Sequence, residues 1–324
     1  MKNDIYYDII ADIHGRFDKL IALMERLGYE KNGEGFIPPV GHKALFLGDL
    51  IDPKPGHEYA GGVRATLQAV KAMCDRGDAL CIMGNHELNA IYFHSKGPDG
   101  KWLRNRGETN GSKNIKMHQG TLDDFDDYDD LQSEWQRVWI PWMKQLPFFL
   151  ELDGLRAVHA CWHPEMIGRI SGRSFDDHEF FLACADKKKP EGEAMEILLK
   201  GLEVPLPKPH FFKDHTGTKR HNFRARWWEM PGDEVLCSEL VFPASDKICQ
   251  LPVAAEARSM FQPYQEDACP VFMGHYFKPA HSPLEPELHN VACLDHAAAT
   301  SGPLVAYRWK GESSIKPEHY ITHQ

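Results

Sequence analysis

Three short stretches in the N-terminal third place metal-capable side chains directly after apolar, β-prone runs: Asp12-Ile13-His14-Gly15, Gly48-Asp49-Leu50-Ile51-Asp52 and Gly84-Asn85-His86-Glu87. Two later stretches repeat the arrangement, Val158-His159-Ala160 and Met273-Gly274-His275. In an open α/β sheet, residues at the carboxyl ends of the strands converge on one edge, where such folds bind ligands. Oxygen and imidazole donors delivered this way suit a pair of divalent cations that share one carboxylate. A water held by two dications gives up a proton near neutral pH, and an imidazole is suited to protonate a departing oxygen. Each stretch alone is a weak signal. All of them in order, each at a strand end, form a specific one.

The elements needed to position these residues are readable. Tyr6–Ala11, Ala44–Leu47 and Ala79–Met83 are short buried-strand candidates. Between the first two, Leu20, Leu23, Met24 and Leu27 recur at three- and four-residue steps, which predicts a helix ending at Gly28. A second helix is expected from about Tyr59 to Arg76, closed by Gly77. Strand, helix, strand, helix, strand reads as consecutive βαβ units in a partly parallel sheet. Residues 96–130 are rich in Gly, Asn and Asp and read as irregular. The acidic run there (Asp123, Asp124, Asp126, Asp127, Asp129 and Asp130) lacks calcium-loop spacing and reads as a solvated surface. Helix is expected over 131–145, then a hairpin of 148–152 with 155–159 around Asp153-Gly154. Helical pieces at 175–185 and 194–201 and strands at 271–273, 291–294 and 304–309 complete the reading. One domain spanning 1–324 is expected, with insertions at about 96–145 and 165–270.

The 324 residues are 42% hydrophobic and 26% charged, as in a folded globular protein. The net charge of −10 argues against general nucleic-acid binding through a basic face. No apolar run reaches the roughly 18–20 residues of a membrane span, so no membrane partner is expected. Met1-Lys2-Asn3-Asp4 has no secretory-signal core. Eight scattered cysteines without C-x-x-C spacing read as buried free thiols in a reducing compartment, which predicts a cytoplasmic location.

The strand-end motifs resemble those of the calcineurin-like metallophosphoesterases. Within them, the chain looks like the phosphoprotein phosphatase branch, which also holds the bacterial symmetrical diadenosine tetraphosphatases. The resemblance is strongest over 5–95, continues through 146–165 and returns over 271–309. It implies an α/β (α+β) fold, a four-layer sandwich of two mixed β-sheets flanked by helices. Carried onto this chain, it implies that Asp12 and His14 hold one metal and Asp49 bridges to a second, completed by Asn85, His159 and His275. It further implies His86 as the general acid, oriented by Asp52. The cofactor would be two divalent ions (manganese, iron or zinc, with manganese favoured in vitro), generating the hydroxide that attacks phosphorus.

The chain departs from the family where phosphate is usually gripped. The second motif continues Asp52-Pro53-Lys54 in place of an arginine, and Met83 precedes Gly84 where protein phosphatases carry arginine. A lysine supplies a point charge rather than a two-pronged fork. Lys54, Arg224 and Arg226 are therefore the candidate substrate-binding residues, with Arg226 ahead of Arg224. His94, His118, His163 and His221 read as surface or structural, with His163 also placed to line the pocket; Glu87 reads either as support for its neighbours or as the start of a helix, and Arg104 and Arg106 either as phosphate or base contacts in a substrate-facing segment or as solvated charges. The expected partner is a phosphorylated small molecule, nucleotide or phosphoprotein. A phosphomonoesterase ranks first, symmetrical bis(5'-nucleosyl)-tetraphosphate hydrolysis second and a catalytically silent metal-binding scaffold third, because every ligand position is filled.

Overall fold

The computed structural model describes residues 5–106, 111–125, 127–214 and 217–324; the Met1–Asp4 segment and Asp126 lie outside the described residues. The first sheet is built on β1 (Tyr6–Ile10), β2 (His42–Phe46) and β3 (Ala79–Cys81), all parallel. The second contains β4 (Phe149–Leu152), β5 (Leu155–Val158), β6 (Val271–Met273) and β7 (Val291–Cys293). Strands β8 (Val305–Trp309) and β9 (Tyr320–Thr322) return to the first sheet, giving the order β9-β8-β1-β2-β3 with β8 antiparallel to β1. In the second sheet, β4 and β5 form the expected antiparallel hairpin, and β5, β6 and β7 run parallel. Both sheets are therefore mixed.

Strand periodicity of two explains why these strands are apolar on both faces. Ile9, Leu45, Leu155, Ala157, Phe272, Ala292 and Tyr307 form one buried cluster contributed by both sheets. Their neighbours Ile10, Ala44, Phe46, Val158, Val271 and Met273 join a second cluster with the helices. The helices include α1 (Phe17–Leu27), whose buried stripe contains Leu20, Leu23, Met24 and Leu27, and α2 (Gly62–Arg76). Further along the chain are α3 (Asn85–Phe93) and α4 (Gly111–Leu122). The helix-side cluster also takes in Trp135, Leu198, Trp227 and Phe261, from the segments read as insertions.

Three local differences from the sequence reading have physical causes. The expected 131–145 helix begins with a wide π-type turn, Trp135–Trp139, in which the Ile140 N–H reaches back to Trp135 O; it then runs as α-helix over Ile140–Lys144. Pro141, with no N–H to give, sits at the junction. Part of the stretch read as irregular is α4, whose inward positions include the polar His118 and Thr121, so it shows no apolar stripe. Strand β9, absent from the reading, pairs antiparallel with β8.

Candidate metal centre and its proton relay

The parallel strands of both sheets end on one edge, and the loops leaving them are laced together. The Ile13 and His14 N–H groups donate to Asp49 O at 3.0 and 2.9 Å, and the Gly274 N–H donates to His159 O at 2.9 Å. Close backbone approach makes the glycines before the functional residues obligatory. A Cβ on Gly84 would lie 2.3 Å from Asp49 N, and one on Gly274 would lie 2.0 Å from an Asp12 carboxylate oxygen. His14, Asp49, Asp52 and His275 all adopt left-handed backbone, with φ of 49°, 53°, 63° and 68°. Non-glycine residues rarely sit there, and such strain concentrates at functional sites.

Asp49 lies at the centre. His14 Nε2 and His86 Nε2 are 3.7 and 3.9 Å from its Oδ2, and His159 Nε2 is 3.4 Å from its Oδ1. Two donor groups share this one carboxylate: His14, Asp49 and His86, and Asp49, His159 and His275, each with donor atoms within 4.8 Å of one another. Asp12 adjoins the first, 4.0 Å from His14 Nε2, and both its oxygens accept from the His275 N–H at 3.1 Å. Asn85 Oδ1 lies 3.1 Å from His159 Nε2, beside the second. The structure thus brings all six sequence-expected ligand positions to one edge.

The donor set fits divalent cations. His159 Nδ1 is 2.7 Å from Leu47 O and His14 Nδ1 is 2.9 Å from Ile51 O, so each ring is anchored through Nδ1 and turns its Nε2 inward. That outer hydrogen bond is the usual way a ligating histidine is oriented. His275 Nε2 is buried with no hydrogen-bond partner among the described residues. Buried carboxylates are also in excess. Burial and then the Asp295 carboxylate hold Asp12 well above the usual range, and burial with the Asp49 charge pushes Glu87 up to about 7. Asp295 is raised to about 6, chiefly by burial. Asp49 itself is held low: burial opposes ionisation, but His159 and His86 outweigh it. Dications offset such crowding of negative charge.

Beside the donors stands a relay wider than the sequence suggested. His86 Nδ1 is 2.6 Å from Asp52 Oδ2, as the resemblance implied. The other oxygen, Oδ1, is 2.7 Å from His118 Nδ1 and accepts from Thr121 Oγ1 at 2.6 Å. Burial alone would raise the Asp52 pKa, but the bonds to His118 and His86 carry it well below the usual carboxylate range. Of the two readings of His118, surface or structural, the structure excludes the surface one: it is buried on α4 and pins the carboxylate that faces His86. Replacing His118 with phenylalanine should lower kcat by about ten- to a hundredfold, the usual cost of losing an outer-layer hydrogen bond, with KM little changed. Steady-state kinetics on a phosphate monoester would check this, and an unchanged kcat would remove His118 from the relay.

Glu87 has a second assignment that sequence reasoning saw only in outline. Fully buried, it accepts from the N–H groups of Gly84, Asp49 and Leu50 at 2.8–2.9 Å and so clamps the second motif to the third. Of the candidate phosphate grips, Arg224 is half-buried, and its charge, after burial, is the largest influence pushing His275 down. Lys54 acts similarly on His14, whose pKa falls to about 3 through burial, His86 and Lys54. Arg226 instead faces Glu229 at 3.6 Å. His94 is held by Arg106 and Gln136, each at 2.9 Å, in a structural role as read. Arg106 pairs with Asp129 and stacks on Phe93 and Trp102, while Arg104 donates to Asn89 at 2.7 Å near the relay.

A family profile described as calcineurin-like phosphoesterase matches residues 6–188, more than half of the chain, and the chain belongs to that family. Dependence on a dinuclear metal centre is characteristic of it. Among curated proteins, the chain is similar to the asymmetrical bis(5'-nucleosyl)-tetraphosphatase PrpE of Geobacillus sp. strain WCH70, at 27% identity over 50% of this chain and 60% of that one. It is also similar to the PrpE of Bacillus velezensis strain FZB42, at 35% identity over 28% of this chain and 34% of the relative. The alignments therefore span between a third and three-fifths of these relatives. Among solved structures, the cold-active protein-tyrosine phosphatase of a psychrophilic Shewanella aligns over 99% of this chain and 80% of that one, at 15% identity and a TM-score of 0.47.

Proposed function

We propose that the protein hydrolyses phosphate esters with two divalent metal ions held at the shared edge of its sheets. The observation that carries this reading is the pair of donor groups with Asp49 in common. Asp12 and His14 would serve one ion, Asn85, His159 and His275 the other, and Asp49 both. When bound, the metals supply an activated water and neutralise phosphate charge. The chain's own residues do the rest. His86 delivers a proton to the departing oxygen, Asp52 with His118 and Thr121 behind it fixes the imidazole, and Glu87 holds the loops in register. The metals are proposed as manganese, iron or zinc, and the location as cytoplasmic. All eight cysteines are free thiols, and no helix among the described residues is long and apolar enough to cross a membrane. The same reading treats the chain as one domain.

For the substrate, a phosphomonoester is the simplest reading, since a single phosphate satisfies the metals and one cation. A bis(5'-nucleosyl)-tetraphosphate is favoured by the names of the curated relatives. The test is hydrolysis of p-nitrophenyl phosphate in manganese, paired with metal analysis of the purified protein; inert protein in saturating manganese would refute the enzyme reading. Arg224→Ala should raise KM for that substrate about tenfold, the loss expected for one charge-assisted contact, and Arg226→Ala far less. Equal effects at the two positions would withdraw Arg224 as the phosphate grip.

A further inference from the structure

Strands β6 and β7 lie side by side and parallel, with Met273 opposite Cys293, so the same step past each strand end brings out His275 on one loop and Asp295 on the next. The Asp295 carboxylate is buried, and each of its oxygens takes a different backbone N–H. Oδ2 accepts from Phe277 at 2.7 Å and Oδ1 from Ala297 at 3.0 Å. Its main-chain O accepts from the Lys278 N–H at 2.9 Å. Three residues of these two loops, His275, Phe277 and Ala297, have left-handed backbone, with φ of 68°, 52° and 60°. Such backbone is costly for any residue with a side chain, most of all a bulky one, and it persists only where the surroundings hold it from several sides. Phe277 is 40% exposed, so packing of its ring does not hold the turn. The bond to Asp295 does.

His275 has particular need of a held backbone. His14 and His159 are each anchored through Nδ1 by a backbone carbonyl. His275 has no such anchor among the described residues, and its Nε2 is unpartnered as well. Its ring is aimed by its own backbone and by edge-on packing against His159, with ring centres 5.2 Å apart. Upstream, that backbone is fixed where the His275 N–H meets the Asp12 carboxylate. Downstream, the turn ends on Asp295. Asp295 is itself firmly backed. The Leu294 N–H donates to Met273 O at 2.8 Å, and the Lys19 ammonium on α1 grips the carbonyls of Ala298, Thr300 and Gly302 at 2.7–2.8 Å.

We propose that Asp295 is a positioning residue of the metal centre: by pinning the turn from His275 to Lys278, it aims the His275 imidazole at the ion served also by Asn85, His159 and Asp49. The proposal rests on the two-metal phosphoesterase reading and adds to it a residue that belongs to neither donor group. A ligand free to turn loses that freedom on binding and so holds its ion more weakly. Asp295→Asn keeps the size and shape of the side chain but has one acceptor oxygen in place of two. One of the two bonded N–H groups then faces an amide N–H2 and loses its partner.

The test is calorimetric titration of the metal-stripped full chain with manganese, beside thermal unfolding of the same samples. Wild type should bind two ions. Asp295→Asn should bind one of them as before and the other about tenfold more weakly, and Asp295→Ala about a hundredfold more weakly, the range seen when a ligand's outer support is removed. Asp8→Asn is the control: it disturbs a buried carboxylate bonded to Arg308 at 2.6 Å and to Tyr29 at 3.0 Å, and should lower the unfolding temperature while leaving both manganese affinities alone. Two ions bound as tightly by Asp295→Asn as by wild type would overturn the proposal, and so would equal weakening in Asp8→Asn, which would mark the effect as general loosening. Either result would leave the phosphoesterase reading intact. A wild-type protein that takes up no manganese would instead sink that underlying reading, and this proposal with it. If Asp295→Ala does not fold, Asp295→Asn decides alone.

Discussion

Replacing Asp49 with asparagine is expected to reduce kcat/KM by about a thousandfold or more and to lower the metal content of the purified protein. The side chain keeps its shape, and its Oδ1 can still accept from the His86 N–H, a bond of 2.9 Å in the native chain. The fold should therefore survive. What goes is the one negative charge facing His14, His86 and His159 together. An arrangement that depends on two cations in contact with one anion loses several kcal/mol of charge stabilisation in the transition state, which is a factor of about a thousand. Metal analysis beside kinetics distinguishes this from misfolding. A variant with two bound metals and near-native turnover would show that Asp49 is not shared.

The second large effect is expected at His86, and its size should depend on the leaving group. His86→Gln leaves the backbone N–H bonded to Asp49 but removes the imidazole that Asp52 holds at 2.6 Å. A positioned general acid contributes about a hundred- to ten-thousandfold, and that loss is expected on alkyl phosphates, whose departing alkoxide requires a proton. p-Nitrophenolate leaves readily as an anion, so the same variant should lose much less on p-nitrophenyl phosphate. Equal losses on both substrates would assign His86 to ligand support instead of proton delivery. The geometry makes this a real alternative, since His86 Nε2 also belongs to the first donor group around Asp49.

Much of the site was readable because its signals are local. Asp12, Asp49 and Asn85 follow strands whose apolar runs announce them, and His159 and His275 follow strands in the second sheet. The stripe on α1 and its closing Gly28 were equally plain. His118 was not readable, because α4 turns His118 and Thr121 inward where an amphipathic helix would show leucines, and a polar inward face defeats an argument from periodicity. Arg224 and Arg226 posed a different difficulty. Two residues apart, they share a face by strand spacing, but the strand Asn222–Arg224 ends between them and Arg226 turns to Glu229.

The amino-acid sequence alone determined the kind of chemistry available, since donor type and strand-end position are properties of a few adjacent residues. Only the tertiary structure decided which donors share Asp49 and that His118 pins Asp52. Those are distances between groups as far apart along the chain as Asp12 and His275. They are set by how two sheets pack face to face and where the intervening segments come to rest, which no local pattern encodes.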